Sequence, residues 1–320
     1  MIARVAFRYI ATLALCLLPL VPGSAYCSNR DIPGAITVAS RARTYLLHVP
    51  PSIPADKPVP LVLVFHGGAG TGKKTAGFTG FDAPADREGF IVAYPDGIGR
   101  SWNDGRGTTK AAKSGADDVR FARELIQRLS AEHKVDPRRI YATGPSNGGF
   151  MSHRLACELS DVLAAVGPVI AGFPSKLVGS CRPAAPVSIV MIQGEADRLV
   201  PIAGGEVGGK RHWGAGGRTE SAESTRAFWA ERSGCPGEPQ VSDLPDRAKD
   251  GTSVREYSWR GCRAGVDVVQ YVVAGMGHRW PTSLASPKGT RLAGWVLGPG
   301  SGNIDATETV WEFFKAHRKP

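Results

Sequence analysis

Ser146, Asp197 and His278 are the residues whose types, order and local settings add up to acyl-transfer chemistry. Ser146 sits in Gly144-Pro145-Ser146-Asn147-Gly148-Gly149, between a strand-like run at 140–143 and a helical pattern from Asn147. G-x-S-x-G in a strand–turn–helix setting is a nucleophile elbow, a strained turn that lifts the serine Oγ above a sheet. Side chains two before and two after the serine would collide across that turn, and Gly144 and Gly148 remove them. A hydroxyl is a poor nucleophile until a base takes its proton, and the base needs an acid to orient it.

Asp197 closes Gln193-Gly194-Glu195-Ala196-Asp197, just past a predicted strand. Ligand-facing groups in open α/β sheets gather at that end of the strands. Glu195 is the competing acid, and its place beside the strand predicts that it faces the scaffold. His278 lies in Gly275-Met-Gly-His-Arg-Trp-Pro281, directly after another predicted strand. Of the other histidines beyond Asp197, His212 has no strand before it and His317 belongs to the C-terminal helix, so His278 is the expected base. His153, two turns along the nucleophile helix, reads as structural. The order Ser, Asp, His is that of α/β-hydrolases.

His66-Gly67-Gly68 ends the strand-like run 60–65 and can bring backbone N–H groups to a developing oxyanion. The Asn147 N–H, at a helix N-terminus, is the expected second donor. His66 is expected chiefly to shape this loop; with Trp102, Trp213 and Trp280 it is a candidate to line the substrate pocket. The alternative for each tryptophan is packing in the core or a loop. Residues 67–73 also match G-x-x-x-x-G-K, a phosphate-binding loop, but Lys74 stands where a Mg²⁺-binding Ser or Thr is required. Nucleotide binding is therefore not expected.

These residues need a sheet to hold them. Continuous apolar runs at 60–65, 90–94, 140–143, 162–169, 187–192 and 266–273 read as strands buried on both faces, and 43–49 as an alternating one. Helical periodicity covers 117–134, with Asp117 or Asp118 as cap, then 147–159, 221–232 and a last helix from about Asp305. The alternation predicts an α/β fold with a mainly parallel central sheet and helices on both faces. Residues 96–115 and 282–303 are long, aperiodic and Gly-rich, the kind of loop that more often serves function.

Before all this stands a basic segment (Arg4, Arg8), an apolar stretch from Ile10 to Val21, and small residues at Gly23 and Ala25. That is the pattern of a signal peptide cleaved after residue 25, leaving 26–320 as one domain with no membrane segment. The chain carries 39 Lys and Arg against 29 Asp and Glu, a net charge of +10. The basic residues are scattered rather than striped, which argues against nucleic-acid binding. An oxidising compartment makes disulfides the default. Cys157, Cys181, Cys235 and Cys262 allow three pairings, and Cys27 is expected to be unpaired. No cysteine or histidine cluster suggests a metal, and no cofactor is expected.

Tyr94-Pro-Asp-Gly97, Ser101-Trp-Asn-Asp-Gly105, Asp117-Asp-Val119, Gly144-Pro-Ser-Asn-Gly-Gly149, Gly194-Glu-Ala-Asp197, Gly277-His-Arg-Trp-Pro281 and Asn303-Ile-Asp-Ala306 follow in order. From about residue 33 onward the chain resembles the secreted esterase family that holds poly(3-hydroxybutyrate) depolymerases and feruloyl or acetylxylan esterases. The resemblance implies an α/β-hydrolase fold, cofactor-free hydrolysis of carboxylic esters, and catalysis by the same three positions. It also implies disulfides near the nucleophile helix and in the C-terminal third, which fits pairing in sequence order. Many depolymerases of that family add a polymer-binding module after the catalytic domain. This chain ends at its last helix, so soluble oligomers or small esters of polyester or plant polysaccharide are the expected substrates. The competing expectation is a non-catalytic polymer- or glycan-binding protein on the same scaffold; peptidase or lipase activity is the variant within the enzyme class.

Overall fold

The computed structural model describes residues 31–51, 53, 57–208, 216–282 and 296–319. The leader, Cys27, His212 and Trp213 lie outside the described residues. In chain order the strands are β1 (Ile32–Val38), β2 (Arg41–His48), β3 (Val59–Val64), β4 (Ile91–Pro95), β5 (Val135–Pro145) and β6 (Ala165–Val169). They continue with β7 (Ser188–Gly194), β8 (Gly205–Glu206), β9 (Arg218–Thr219), β10 (Gln240–Asp243), β11 (Ser253–Trp259) and β12 (Val268–Ala274). The helices are α1 (Gly72–Thr79), α2 (Asp82–Glu88), α3 (Lys110–Lys113), α4 (Asp118–Glu132), α5 (Asn147–Glu158), α6 (Ala222–Arg232) and α7 (Ala306–Ala316).

Ten strands form one sheet in the order β1-β2-β4-β3-β5-β6-β7-β12-β11-β10. The six central strands, from β4 to β12, pair in parallel, and antiparallel hairpins finish both edges. Alternation along β3 explains the layers. Leu61, Leu63 and Phe65 join one core cluster with Phe121 and Leu125 of α4 and Met151 and Leu155 of α5. Val62 and Val64 point the other way, into a cluster with Ala76, Ala85 and the Val310, Trp311 and Phe314 stripe of α7. Period-2 strands between helices on both faces give a sheet that is dry on both sides, and each fully buried Val or Leu contributes about 1.5–3 kcal/mol.

The central strands and the long helices stand where the sequence places them. Asp117 is the cap of α4, accepting the Arg120 N–H at 3.0 Å. Asp118 instead turns inward to a buried ion pair with Arg43 at 2.6 Å. The strands that escape the sequence reading are β1, β10 and β11 in the antiparallel margins of the sheet and the short separate pair β8–β9. β1 carries Pro33 and Gly34, turn formers in most settings; here a Cβ at Gly34 would lie 2.2 Å from the Tyr45 ring, so the glycine is what lets Tyr45 cross its neighbour. β11 carries adjacent charges at Arg255 and Glu256 and lacks the continuous apolar run of a central strand.

The cysteines pair in sequence order. Cys157–Cys181 ties the end of α5 to the segment before β7, and Cys235–Cys262 ties the end of α6 to the β11–β12 connection.

Candidate active site

β5 ends at Pro145 and α5 begins at Asn147, so Ser146 is the whole turn between them. Its backbone lies at φ 53°, ψ −118°, a region that costs a non-glycine residue on the order of 1–3 kcal/mol. The surroundings hold it there: the Ser146 N–H donates to Val169 O at 2.9 Å, and Ser146 O accepts the Phe150 N–H at 2.9 Å. The flanking glycines are needed for more than the expected reason. A Cβ at Gly144 or Gly148 would lie 2.2 or 2.0 Å from the carbonyl oxygen of Phe65, just past the end of β3. A Cβ at Gly144 would also lie 3.1 Å from Gly148 C across the turn, so the neighbouring strand adds the tighter of two constraints.

Asp197 and His278 arrive from the ends of β7 and β12, which are parallel neighbours. Asp197 Oδ2 lies 2.6 Å from His278 Nδ1. Its Oδ1 accepts the N–H groups of Leu199 at 2.8 Å and Val200 at 2.9 Å, so the carboxylate is fixed on both oxygens. Both side chains are buried. Glu195, the rival acid, is exposed to solvent rather than facing the scaffold. Ser146 and His278 line one cavity of about 900 Å³, together with Gly67, Gly68 and Asn147.

Gly67 leans on the Ser146 turn, where an added Cβ would lie 3.5 Å from Pro145 O and 3.7 Å from Ser146 Cβ. Asn147 is the first residue of α5, where a helix leaves its N–H groups without intrahelical partners. Its side chain is engaged below: Oδ1 accepts the Trp102 N–H at 2.8 Å, and Nδ2 donates to Asp104 Oδ2 at 2.5 Å. Asp104 in turn pairs with Arg106 at 2.7 Å, both buried. The guanidinium lies 4.2 Å over the Phe150 ring. This Asn147–Asp104–Arg106 network escapes sequence reasoning because it joins one loop to the start of α5, about forty residues on in the chain; the only signal is the Ser101–Gly105 motif.

Two pocket candidates belong elsewhere. His66 is fully buried; Nδ1 donates to its neighbour Gly67 O at 2.7 Å and Nε2 accepts the Gly97 N–H at 2.9 Å. With both ring nitrogens occupied it stays neutral, and burial lowers its pKa further. Trp102 is also fully buried, edge-on to Phe65, and donates from Nε1 to His66 O at 2.8 Å. Both brace the glycine loop from behind and neither lines the cavity. Trp280 does line it, anchored by Nε1 on Thr307 Oγ1 at 3.1 Å. The phosphate-loop look-alike is spent internally: the Gly72 N–H, at the start of α1, donates to Asp96 Oδ1 at 2.8 Å. His153 is fully buried against Trp229, whose Nε1–H it accepts at 3.1 Å.

Five cations reach the cavity wall: Arg100, Arg106, Lys110, Lys113 and Arg279. No Asp or Glu lines it among the described residues. Arg100 is occupied with the carbonyls of Ala69 and Gly70, whereas Lys110 and Lys113 are exposed at the rim.

A parallel sheet with helices on both faces and a serine elbow at its centre is the α/β-hydrolase fold. Residues 43–205 match the family model described as Esterase PHB depolymerase, and the chain belongs to that family. It is 33% identical over 252 residues to the candidate esterase NocK of Nocardia uniformis subsp. tsuyamanensis, covering 77% of this chain and 73% of that one. To feruloyl esterase B of Piromyces equi it is 33% identical over 245 residues, 74% of this chain but only 42% of that protein. An acetyl xylan esterase structure from Aspergillus awamori shares the fold with TM-score 0.56 at 13% identity, over 77% of this chain and 94% of that one. The protein is a carboxylic ester hydrolase.

Proposed function

We propose that the protein is a secreted serine esterase, one domain spanning 26–320 behind a cleaved leader, with Ser146 as nucleophile, His278 as base and Asp197 as acid. The observation that carries this is the 2.6 Å Asp197–His278 contact at the wall of the cavity that also holds Ser146. With Nδ1–H donated to Asp197, Nε2 is left as the acceptor. In the first half-reaction Nε2 takes the Ser146 proton as Oγ bonds to the ester carbonyl carbon. The resulting oxyanion is received by backbone N–H groups of the 67–68 loop and Asn147. His278 then returns the proton to the departing alkoxide, the C–O bond breaks, and alcohol leaves. Water repeats the sequence on the acyl-serine, releasing the acid and restoring Ser146.

For the substrate, the exposed Lys110 and Lys113 at the rim and Arg279 on the wall, with Arg106 already offset by Asp104 behind it, favour an ester that carries an anion away from the scissile bond. A cleft lined by one sign of charge concentrates ligands of the other sign. Free-acid oligomers of 3-hydroxybutyrate have that character, and the aliphatic stretch beside Val200, Val207 and Trp280 suits their short acyl chain. Uncharged feruloyl and acetyl esters of polysaccharide are the competing substrates.

Fluorophosphonate labelling, compared between wild type and Ser146→Ala, tests the nucleophile; loss of label and turnover in a folded variant is the expected result. An unlabelled wild type would return the protein to the non-catalytic binding reading. A panel of 3-hydroxybutyrate trimer, its methyl ester, methyl ferulate and acetylated xylan tests the substrate. The free acid should lead at low salt and lose its advantage at high salt.

A further inference from the structure

Asp31, just ahead of β1, His48, the last residue of β2, and Asp82, the first of α2, come together at one edge of the sheet, and none of them lines the Ser146 cavity. His48 is 1% exposed. Its Nε2 lies 2.9 Å from Asp86 Oδ1; a carboxylate accepts, so Nε2 carries the hydrogen. Nδ1, on the other side of the ring, is buried and has no hydrogen-bond partner. It faces Asp31 Oδ1 at 3.7 Å and Asp82 Oδ1 at 3.9 Å. The three ligand-type atoms all lie within 4.8 Å of one another.

Those separations are too long for hydrogen bonds, yet they bring a ring nitrogen and two carboxylate oxygens onto one point. Zinc holds nitrogen and oxygen ligands at about 2.0–2.2 Å in a tetrahedron, which sets the ligand atoms about 3.4 Å apart. Closing the two histidine gaps by about 0.3–0.5 Å, with the two carboxylate oxygens, now within 4.8 Å of one another, turning toward the same point, would satisfy that geometry. The outer contacts also fit. A metal-binding histidine commonly donates its other N–H to a carboxylate, as His48 does to Asp86, and Asp82 Oδ1 is oriented by the Tyr94 O–H at 2.6 Å. A bound cation would offset the mutual repulsion of the carboxylates gathered around His48.

We propose that Asp31, His48 and Asp82 form a structural zinc site, with water as the fourth ligand. The imidazole and the small ligand count argue against Ca²⁺, which takes six to eight oxygens, and against Mg²⁺. Because the ligands come from three elements, the ion would fasten the edge strand β1 and the start of α2 to β2.

The test uses the untagged full-length protein, stripped with EDTA and titrated with Zn²⁺ against a chromophoric chelator, with Co²⁺ absorption reporting geometry. The expected result is one equivalent bound, a tetrahedral Co²⁺ spectrum, and a Tm rise of about 5 °C at saturation. His48→Ala should abolish the site. Asp31→Asn, at a residue 41% exposed and so without consequence for the core, should weaken it at least tenfold. His278→Ala should keep the full equivalent, separating this site from metal captured by the Asp197–His278 pair. Absence of tight binding by wild type, undiminished binding in both His48→Ala and Asp31→Asn, or its loss in His278→Ala would overturn the proposal.

Discussion

Replacing Asp197 with Asn changes one atom, and the structure says what that atom decides. Oδ1 accepts two backbone N–H groups, from Leu199 and Val200, and Oδ2 receives Nδ1–H of His278. An amide can meet only one of these demands. If its oxygen stays with the two N–H groups, its NH₂ faces Nδ1, which must then accept; the ring hydrogen moves to Nε2, and the base is lost. Wrong-tautomer locking of this kind costs on the order of 10⁴ in kcat. If the amide flips, the histidine keeps its tautomer but two buried N–H groups lose their acceptor, at about 1–3 kcal/mol each. At 1.36 kcal/mol per tenfold, that second route costs between roughly 30-fold and 10⁴-fold. Asp197→Asn should lower kcat for a p-nitrophenyl ester by at least about 30-fold; Tm stays near the wild-type value on the first route and falls on the second, where the two N–H groups lose their acceptor. ¹⁵N shifts of the His278 ring distinguish the two routes. A variant within threefold of wild-type kcat would refute the reasoning and move the orienting role away from Asp197.

Three more predictions follow from packing. Gly148→Ala should lower Tm, reflecting about 1–3 kcal/mol of overpacking, and reduce kcat, since its Cβ would meet Phe65 O at 2.0 Å; unchanged Tm would contradict the close approach. Removing either disulfide by paired Cys→Ala substitution, with loops spanning sequence separations of 24 and 27, should cost about 3 kcal/mol and be read as a Tm loss of roughly 5–10 °C. Burial lowers the His153 pKa to about 3, below its unfolded value of about 6.5. The unfolded chain therefore takes up a proton that the native state refuses, and this histidine's stabilisation falls as pH drops from 6.5 toward 3. His153→Asn, which keeps an acceptor for Trp229, should flatten that part of the Tm–pH curve; identical curves would exclude His153 as the cause.

What the sequence reveals depends on how local the physics is. β3 and β5 announce themselves because burial on both faces demands an unbroken apolar run, and the elbow does so because one turn holds its glycines and serine. Asp197 and His278 are legible from their places after strands. The tighter constraint on Gly144 and Gly148 is not, because the carbonyl they avoid belongs to Phe65, far away in the chain. The same holds for the Asn147–Asp104–Arg106 network. It holds also for Asp31, His48 and Asp82, whose spacing in sequence has no regularity. Trp102 and His66 look like pocket residues because they flank pocket loops; only the fold shows that they stand behind those loops.

The contact of Gly144 and Gly148 with the Phe65 carbonyl bears on how this protein can diversify. It joins the Ser146 turn to the chain leading into the 66–68 loop without room for an intervening side chain, so on the proposed mechanism changes there fall on nucleophile and oxyanion donors together. The segments around Lys110 and Val200 meet the same cavity without that constraint. A mutational library aimed at new esters belongs in those segments, and lineages descending from this scaffold should vary there first while the glycine seam stays untouched.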